Sequence, residues 1–362
     1  MNRPKQPRVV IYYPGFRHRA GGAFQHAVAA AAEFENRGWQ VSVLTLDDLP
    51  VFVRYLPTLV GKLINMLRAP MGFAYRGRLS AFLFRTFRKV PADLIIFEEI
   101  YISWNSTTPS ITLLHATWSD NLQGIPVKDA NLAKLIAKEE ELLENIDHAV
   151  VSVSDEYKDF LTSDVFSSAL KKHIDVVPLS LEFTDAETGA PRQNEIVFTG
   201  RLEPRKNPFL LISAFEAFHR RNDQFSMVII GDGPLLKDLQ ALAQEKALPI
   251  RFLGRLSHDD VFKQLLQSRI YIHTSTKESF SFSLLEAKLC GLATCAYGGL
   301  QVPREFIDHP ASDFSVDEWV RAMEMAVKQG PVHHVRASDY SPKIMIDRTL
   351  DLAGISDLRT EE

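Results

Sequence analysis

Residues 270–290 read IYIHTSTKESFSFSLLEAKLC, in which a short apolar run, a serine-rich turn and a helical pattern follow one another. The apolar run 270–273 predicts a buried strand, and the periodicity of 282–290 predicts a helix. A strand that leads through a polar turn into a helix is the repeating unit of a parallel α/β sheet. The stretch therefore predicts an α/β fold, with a ligand-binding turn where a strand ends.

The same alternation extends along most of the chain. In the first half, short apolar runs predict strands at 9–13, 41–46, 94–97, 111–114 and 149–153. In the second half the pattern restarts, with strands predicted at 195–199, 225–230, 250–253, 270–273 and 293–296. Amphipathic stretches predict helices at 24–37, 131–146, 207–221, 235–247, 259–267 and 282–290. Two such series predict two doubly wound parallel sheets with helices on both faces.

The two series define the predicted domains. A chain of 362 residues is long enough for two domains of ordinary size. We expect an N-terminal Rossmann-like domain at 1–178, a polar linker at 179–194 and a C-terminal Rossmann-like domain at 195–341. The second sheet is expected to end near Ala296. A last helix, at about 342–362, is expected to pack back on the first domain.

Composition and charge narrow the classes of function. The net charge of −4 gives no support to a nucleic-acid partner. The two cysteines, Cys290 and Cys295, form no CxxC pair, so neither a zinc site nor a disulfide is expected. The sequence shows no signal peptide and no apolar run long enough to span a bilayer, so we expect a cytoplasmic protein.

The segment 49–92 breaks the alternation. It contains no Asp or Glu but eight basic residues: Arg54, Lys62, Arg68, Arg76, Arg78, Arg85, Arg88 and Lys89. Large apolar residues lie between these cations, which fits either helices packed on the first sheet with a solvated basic face or an amphipathic surface that binds anionic lipid. We favour the second interpretation, which predicts a peripheral protein on the inner face of the cell membrane. RNA binding could use the same composition, but no RNA-binding motif accompanies it.

The loop after the strand 195–199 carries cations suited to a diphosphate. Its sequence, GRLEPRKN, supplies Arg201 and Lys206 where the strand ends. Such cations neutralise a diphosphate both in the bound state and as a leaving group. Taken alone, the loop could equally be an ordinary charged connection.

The next two predicted strands end in glycine-containing turns. GDGP begins at Gly231, and the following strand ends at Leu253 and Gly254. Glycine permits close approach of the backbone to a ligand. We expect Gly231, Leu253 and Gly254 to contact a nucleobase, although many α/β loops share this composition.

Glu278 and Glu286 flank the start of the helix predicted at 282–290. The first turn of that helix would present free backbone N–H groups to phosphate oxygens: those of Ser281, Phe282, Ser283 and Leu284. Glu286, one turn inside the helix, could accept both hydroxyls of a ribose. Glu278, just before the helix, would meet a sugar. Two surface glutamates could show the same spacing.

In this order and spacing, the motifs GR…K, GDGP, FLG, E-x7-E, LLEA and CG resemble those of the retaining glycosyltransferases of family 4. The resemblance is close over roughly 195–299 and looser in the N-terminal half. It implies the GT-B fold, in which two Rossmann-like domains face each other across a cleft. It also implies that Arg201 and Lys206 bind the donor diphosphate, that Glu286 holds the ribose and that Glu278 contacts the donor sugar.

Two N-terminal features fit the same family. GGA at 21–23 follows the first predicted strand and resembles the family's glycine loop, which implies that Gly22 approaches the donor phosphate. LLHAT at 113–117 is a strand that ends in a histidine. The resemblance implies that His115 faces the transferred sugar and, with Glu278, is catalytic.

The chain departs from the family pattern in two places. Ser279 and Ser281 stand where relatives usually carry glycine, so the phosphate turn must avoid positive φ or accept strain. The sequence Pro178-Leu179-Ser180 stands where an Asn-Gly pair often follows the last N-terminal strand. The departures concern the geometry of the loops and leave the assignment unchanged.

The resemblance implies transfer of a hexose-type sugar from a nucleoside-diphosphate sugar, with UDP favoured over GDP, to a hydroxyl of a glycan acceptor. The basic segment suggests that this acceptor is lipid-linked, as in lipopolysaccharide, O-antigen or other cell-surface polysaccharide assembly. No Asp-x-Asp pair occurs, so we expect neither a metal ion nor a cofactor. A dehydrogenase is disfavoured because no GxGxxG follows the first strand. A nucleotide-sugar epimerase and a non-catalytic nucleotide-sugar-binding protein remain alternatives.

Overall fold

The computed structural model describes residues 6–19, 22–68, 71–119, 129–168, 170–183 and 191–355. The chain divides into two compact units. Unit 1 comprises Met1–Glu182 together with Tyr340–Glu362, and unit 2 comprises Phe183–Asp339. The predicted linker 179–194 spans the first boundary, and its residues 184–190 lie outside the described residues.

Unit 1 contains a six-stranded parallel sheet with the strand order β2-β1-β3-β4-β5-β6. Its strands are β1 (Arg8–Tyr12), β2 (Gln40–Leu44), β3 (Leu94–Phe97), β4 (Ser110–Leu114), β5 (Ala149–Ser152) and β6 (Ile174–Val176). Its first five helices are α1 (Gly22–Asn36), α2 (Leu56–Arg68), α3 (Gly72–Phe87), α4 (Asp129–Asn145) and α5 (Asp155–Phe160). Because β2 and β3 lie on opposite sides of β1, the strand order reverses there, which is where such sheets bind ligands at their carboxyl edge.

The strands of unit 1 are apolar on both faces, as expected for a parallel sheet that is covered on each side. On β1, Ile11 faces one side and packs in a core with Phe34 of α1. Val10 and Tyr12 face the other side and pack with Phe84 of α3. One strand therefore contributes to two separate cores.

Unit 2 contains a second six-stranded parallel sheet, with the strand order β12-β11-β10-β7-β8-β9. Its strands are β7 (Glu195–Thr199), β8 (Ser226–Ile230), β9 (Ile250–Gly254), β10 (Ile270–His273), β11 (Ala293–Tyr297) and β12 (His309–Ala311). Its helices are α6 (Pro208–His219), α7 (Leu236–Glu245), α8 (His258–Gln267), α9 (Phe282–Leu289) and α10 (Val316–Gln329). One apolar cluster, which includes Phe198, Phe215 and Trp319, joins the sheet to its helices. The predicted α/β class is confirmed in both units.

The second sheet extends further than predicted. Its predicted end near Ala296 is wrong, because β12 pairs in parallel with β11 and His309 lies opposite Cys295. The strand β12 has three residues and contains Pro310, whose missing N–H confines proline to edge strands. Such a short run gives no periodic signal, and the equally short β6 is absent from the predicted strands for the same reason.

The last helix of the chain, α11 (Pro342–Leu352), packs against α1 in unit 1. Its Leu350 joins the apolar core formed by β1 and α1. The guanidinium of Arg37, which follows α1, lies 2.7 Å from the carboxylate of Asp347 on α11. The helix is shorter than the predicted range 342–362, because Gly354 follows it with a φ of 68°, a conformation typical of helix C-termini. Residues 356–362 lie outside the described residues.

The basic segment 49–92 folds mainly into α2 and α3, which pack against each other. Leu79, Leu83 and Phe84 of α3 pack in the core beneath the sheet. No helix in the described ranges is long and apolar enough to cross a membrane. The segment therefore packs on the sheet through one face and leaves other faces exposed.

Backbone contacts hold three strand ends of unit 2 together. The N–H of Gly200 donates to the carbonyl of Ile230 at 3.0 Å, and the N–H of Gly231 donates to the carbonyl of Gly254 at 2.7 Å. Gly231 has a φ of 138°, and a Cβ at this position would lie 1.9 Å from the carbonyl oxygen of Gly200. This turn therefore requires glycine both for space and for backbone conformation.

Replacing Gly231 by alanine is expected to destabilise unit 2. Because the new methyl group overlaps the backbone of Gly200, we expect Gly231→Ala to lower the free energy of unfolding by roughly 3 kcal/mol or more. Gly254→Ala is the matched control, since Gly254 has a φ of 65° but nothing lies within 4 Å of a Cβ there. Its expected loss is about 1–2 kcal/mol. Urea unfolding measures both losses, and equal losses would contradict the steric argument.

Candidate active site

A largely buried glutamate organises the carboxyl edge of the unit 2 sheet. Glu278 lies in the turn between β10 and α9, and its side chain is 12% exposed. Lys206 donates a hydrogen bond to one carboxylate oxygen, and Nε2 of His273, at the end of β10, lies 3.2 Å from the same oxygen. The second oxygen lies 3.7 Å from the guanidinium of Arg205. Three nitrogen-bearing side chains therefore surround one carboxylate.

This arrangement keeps Glu278 ionised. Burial alone would raise its pKa, but the charge of Lys206 and the hydrogen bond with His273 outweigh burial and lower the pKa well below its usual range. Burial lowers the pKa of His273 by more than its contact with Glu278 raises it. At neutral pH the cluster therefore combines the ionised carboxylate of Glu278, the two cations Lys206 and Arg205, and a neutral imidazole ring.

Two hydrogen-bonded turns place the cations beside this carboxylate. The short 3-10 turn Pro204–Lys206 ends at Asn207, whose φ of 48° is left-handed, a conformation that asparagine tolerates better than most residues. The hydroxyl of Thr274, after β10, donates to the carbonyl of Lys206 at 2.7 Å. The turn after β7 is therefore fixed to the turn after β10.

Arg201 is placed differently from Lys206, although both were predicted to bind the diphosphate. The side chain of Arg201 is 71% exposed and pairs with Glu203 at 3.2 Å. Arg205, which the sequence argument did not assign, lies between Glu203, at 3.8 Å, and Glu278. The loop thus presents Arg201 to solvent and places Arg205 and Lys206 against the carboxylate of Glu278.

The residues predicted to contact the base lie where β8 and β9 end. Gly231 and Gly254 are hydrogen-bonded to each other, and Leu253 is half-buried beside them. Gly200 adjoins Gly231 through the close backbone contact described above. These positions therefore share one edge with the loop that carries Arg201.

The turn before α9 has the geometry of a helix N-terminus that can bind an anion. Ser281 is the N-cap residue, and its hydroxyl accepts a hydrogen bond from the N–H of Leu284 at 3.4 Å. Phe282 and Ser283 occupy the first turn, where backbone N–H groups lack carbonyl partners within the helix. Such N–H groups and the helix dipole together favour phosphate.

The two serines fit this turn without backbone strain. Ser281 has a φ of −158°. In the described part of the chain, Asn207 and Ala247 are the non-glycine residues with positive φ, so Ser279 also avoids that region. The turn therefore does not need the glycines that the resemblance would place there.

Glu286 lies one turn inside α9, and its side chain is 12% exposed. Its carboxylate lies 3.1 Å from Nε2 of His258, the first residue of α8. The hydrogen bond with Glu286 raises the pKa of His258. A ribose that used both oxygens of Glu286 would share or displace this contact.

A second buried glutamate lies at the carboxyl edge of the unit 1 sheet. Glu98 follows β3, and its Oε2 lies 2.6 Å from Nε2 of His115, which follows β4. Both of its carboxylate oxygens lie 3.1 Å from Nδ1 of His26 on α1. The rings of His26 and His115 are 5.2 Å apart, edge to face. His115 therefore belongs to a hydrogen-bonded His–Glu–His cluster that the sequence argument did not find.

The histidines set the charge of Glu98. Burial alone would raise its pKa, but the charge of His26 and the hydrogen bonds from both rings lower the pKa to about 2. Burial lowers the pKa of His115, although its contact with Glu98 acts in the opposite direction. Because an ionised carboxylate only accepts hydrogen bonds, we assign a ring proton to Nε2 of His115.

The same three side chains offer ligand atoms within 4.8 Å of one another, as a metal site would. The contact between Glu98 and His115 is nevertheless 2.6 Å long. Zinc bonds of about 2.0–2.2 Å at tetrahedral angles keep ligand atoms more than about 3 Å apart. The arrangement of His26, Glu98 and His115 therefore fits hydrogen bonding better than metal binding.

Hydrogen bonds to two buried side chains hold the loop that follows His115. The N–H of Thr117 donates to the hydroxyl of Tyr157 at 2.8 Å, and the N–H of Trp118 donates to the carboxylate of Glu139 at 2.8 Å. Both acceptors are buried. The backbone after β4 is therefore anchored at Thr117 and Trp118.

Gly22, predicted from the glycine loop, is the first residue of α1 and is exposed. Residues 20 and 21, which precede it, lie outside the described residues. The same helix carries His26 one turn later. The start of α1 therefore adjoins the His–Glu–His cluster.

Some of these residues carried a signal in the sequence and others did not. Arg205 is a further cation within GRLEPRKN, and His273 closes a predicted strand, so both could have been assigned. Glu98, His26 and His258 gain their importance from contacts with residues distant in the chain. A single sequence does not show those contacts.

The C-terminal part of the chain has relatives of known class. Residues 182–333 match the family described as Glycosyl transferases group 1. The GPI3 subunit of phosphatidylinositol N-acetylglucosaminyltransferase from Saccharomyces cerevisiae is 32% identical over 138 residues, which cover 36% of this chain. The match spans 30% of the length of that relative.

Solved structures resemble nearly the whole chain. Sucrose-phosphate synthase from Thermosynechococcus elongatus superposes with a TM-score of 0.64 at 17% identity, covering 96% of this chain and 95% of that one. Alr3699/HepE from Anabaena, in complex with UDP and glucose, gives a TM-score of 0.55 at 16% identity, covering 97% and 96%. The chain has the GT-B fold. The family match and the relatives support transferase activity.

Removing the charge of Glu98 is expected to change the titration of His115. Because the contact with Glu98 favours the protonated ring, Glu98→Gln should lower the pKa of His115 further. Glu99→Gln changes the neighbouring carboxylate and should leave that pKa unchanged. NMR titration of the ring protons, assigned with a His115→Gln variant, measures both. An unchanged pKa of His115 in Glu98→Gln would contradict the observed hydrogen bond.

Proposed function

We propose that this chain is a retaining glycosyltransferase of the family 4 type, which moves a hexose-type sugar from a nucleoside-diphosphate sugar to a hydroxyl of a glycan acceptor. The observation that carries the proposal is the carboxylate of Glu278, held by Lys206 and His273 beside the capped N-terminus of α9. This edge offers a partner for each part of a donor: cations for the diphosphate, Glu286 for the ribose and Glu278 for the sugar. The family match at 182–333 includes all of these residues.

Unit 2 supplies the charges that a donor diphosphate requires. Negative charge grows on the leaving nucleoside diphosphate as the bond to the sugar breaks, and Lys206, Arg201 and the N-terminus of α9 are positioned at one sheet edge to stabilise it. We propose that this set acts without a divalent metal ion or a cofactor, in keeping with the lack of an Asp-x-Asp pair in the sequence. UDP is the favoured nucleotide, since the similar Anabaena structure contains UDP.

Retention requires the acceptor hydroxyl to attack the face of the sugar from which the diphosphate departs. In such a step the acceptor oxygen bonds to the anomeric carbon, the bond to phosphate breaks and a phosphate oxygen takes the proton of the hydroxyl. Positive charge grows on the sugar, and the fixed negative charge of Glu278 stabilises it. Glu98 and His26 hold the ring of His115 in one orientation, so its proposed contact with the sugar is preorganised.

We further propose that the acceptor is lipid-linked and that the protein docks on the inner face of the cell membrane. The name of the similar yeast protein specifies phosphatidylinositol, a membrane lipid. Here α2 and α3 expose large apolar side chains, among them Leu59 at 63%, Met66 at 83% and Phe82 at 62%. Exposed apolar residues between cations are typical of surfaces that bind anionic lipid. Lipopolysaccharide, O-antigen and other cell-surface glycans are acceptors of this class.

Substitutions in unit 2 should separate donor binding from turnover. We expect UDP to bind with or without EDTA, and Lys206→Met to weaken binding by about tenfold or more, because a charge-assisted hydrogen bond is lost. Glu278→Gln should retain UDP binding but lose about 100-fold in release of UDP from a UDP-sugar. Lys237→Met, which changes an exposed lysine on α7, is the matched control.

Calorimetry of UDP, GDP, ADP and CMP, together with an assay of UDP release, measures these effects. Failure of all four nucleotides to bind would contradict the donor site. Conversion of the UDP-sugar to its epimer without an acceptor would identify an epimerase instead. Tight binding of a UDP-sugar by the wild type without any turnover would identify a non-catalytic binding protein.

Membrane docking should depend on the apolar side chains of α2. Leu59→Ser combined with Met66→Ser is expected to lower partitioning onto anionic vesicles by about tenfold or more, since each apolar side chain gains roughly 1.5–3 kcal/mol on burial. Val332→Ser removes an exposed apolar side chain from unit 2 and should have little effect. Vesicle flotation measures the partitioning. Equal partitioning of the double variant and the wild type would refute docking through this face.

A further inference from the structure

The exposed face of α3 carries aromatic and arginine side chains in turn. Tyr75, Arg78, Phe82 and Arg85 follow one another at spacings of three or four residues and therefore share one face of the helix. All four are exposed, whereas Phe84 on the opposite side is fully buried. Alternating rings and guanidinium groups are typical of a surface that meets both apolar and anionic chemistry.

This stripe of side chains ends at an open groove of about 770 Å³. Arg85, Arg88 and Lys89 line the groove beside the C-terminal end of α3. Arg8 lines it from the start of β1, and the indole of Trp104 contributes an apolar wall. The groove is large enough for a small phosphorylated group.

The groove is electropositive. Four basic side chains line it, and none of the residues that line it is Asp or Glu. Arg8 pairs with Asp93 at 3.3 Å, whereas Nε of Arg88 donates to a backbone carbonyl, which does not neutralise its charge. The guanidinium of Arg85 lies 6.0 Å from the ring centroid of Trp104. Several cations therefore keep their charge within one groove.

The groove reaches the amino edge of the unit 1 sheet, although Tyr12 and Trp104 also line it, and it shares no residue with the His–Glu–His cluster. Arg8 begins β1, Ala92 precedes β3 and Thr108 precedes β4, and all three line the groove. Glu98 and His115 instead follow the carboxyl ends of β3 and β4. A ligand in the groove therefore need not compete with one at the candidate active site.

We propose that this groove binds the phosphate-bearing headgroup of an anionic membrane lipid. Arg85, Arg88 and Lys89 supply charge-assisted hydrogen bonds to the phosphate oxygens. Phe82, exposed at the rim, inserts at the boundary between headgroups and acyl chains, where aromatic rings are favoured. The inference rests on the membrane docking proposed above and adds to it a discrete headgroup site.

Two double variants of equal charge distinguish a headgroup site from a diffuse basic surface. Arg85→Gln/Lys89→Gln removes two charges from the groove, and Lys62→Gln/Arg78→Gln removes two from the same basic segment outside the groove. The full chain is mixed with vesicles of phosphatidylcholine, with or without phosphatidylglycerol. We expect the groove variant to lose about 20-fold or more in partitioning onto the anionic vesicles, and at least fivefold more than the other variant.

Two single Arg→Lys variants test whether the guanidinium group, and not only its charge, contributes to binding. Arg85→Lys keeps the charge but loses bidentate contact with phosphate, so it should weaken partitioning, whereas Arg78→Lys should not. Circular dichroism and a urea unfolding midpoint close to that of the wild type would show that each variant is folded.

Equal losses in the two double variants would overturn the headgroup site in favour of diffuse attraction. Soluble glycerol phosphate that binds the wild type as tightly as the vesicles do would overturn the assignment to lipid. Lack of binding of the wild type to any vesicle would overturn membrane docking as well, while leaving the result for UDP untouched.

Discussion

The partly buried contact between Lys206 and Glu278 joins two turns that are 72 residues apart in the chain. Taking a carboxylate out of water costs several kcal/mol unless its charge is matched. Here Lys206 and Arg205 match the charge, and the ring of His273 forms a hydrogen bond with the carboxylate. In the proposed complex the phosphate groups of a donor would draw on the same lysine, so the carboxylate and the diphosphate would share one cation. Arg205 lies 3.7 Å from Glu278 and is the second cation that can neutralise this carboxylate when a ligand binds to Lys206.

A buried ion pair between Lys288 and Asp308 fixes the helix at which we propose that phosphate binds. The Nζ of Lys288 on α9 lies 2.7 Å from both carboxylate oxygens of Asp308, and both side chains are at most 1% exposed. Asp308 also accepts hydrogen bonds from the N–H of Thr294 on β11, at 3.0 Å, and of Val332, at 2.8 Å. The helix α9 is therefore anchored through its last turn to the edge of the sheet. This anchor gives the short strand β12, which begins directly after Asp308, a role in holding the site.

Strands and local motifs could be predicted from the sequence, whereas contacts between residues far apart in the chain could not. The strand Leu94–Phe97 is continuously apolar, so its bounds were predicted without error, whereas β12 is too short to produce a pattern. Lys206 was assigned from one local motif and Glu278 from another, and the fold brings them together. Glu98 escaped notice because its partners His26 and His115 lie 72 and 17 residues away. No spacing rule connects such positions without an alignment or a structure.

The distribution of charge distinguishes the cations that are paired with carboxylates of the protein from those that are available to a ligand. The chain has a net charge of −4, yet 49–92 contains eight basic and no acidic residues, so the rest of the chain is strongly acidic. An anionic membrane repels that acidic part, and within a Debye length of about 8 Å it attracts only the basic segment. Lys206 and Lys288 are matched by carboxylates of their own unit, whereas in the described part of the chain Arg85 and Lys89 form no ion pair. A segment without carboxylates leaves such cations available, which is what an external phosphate requires.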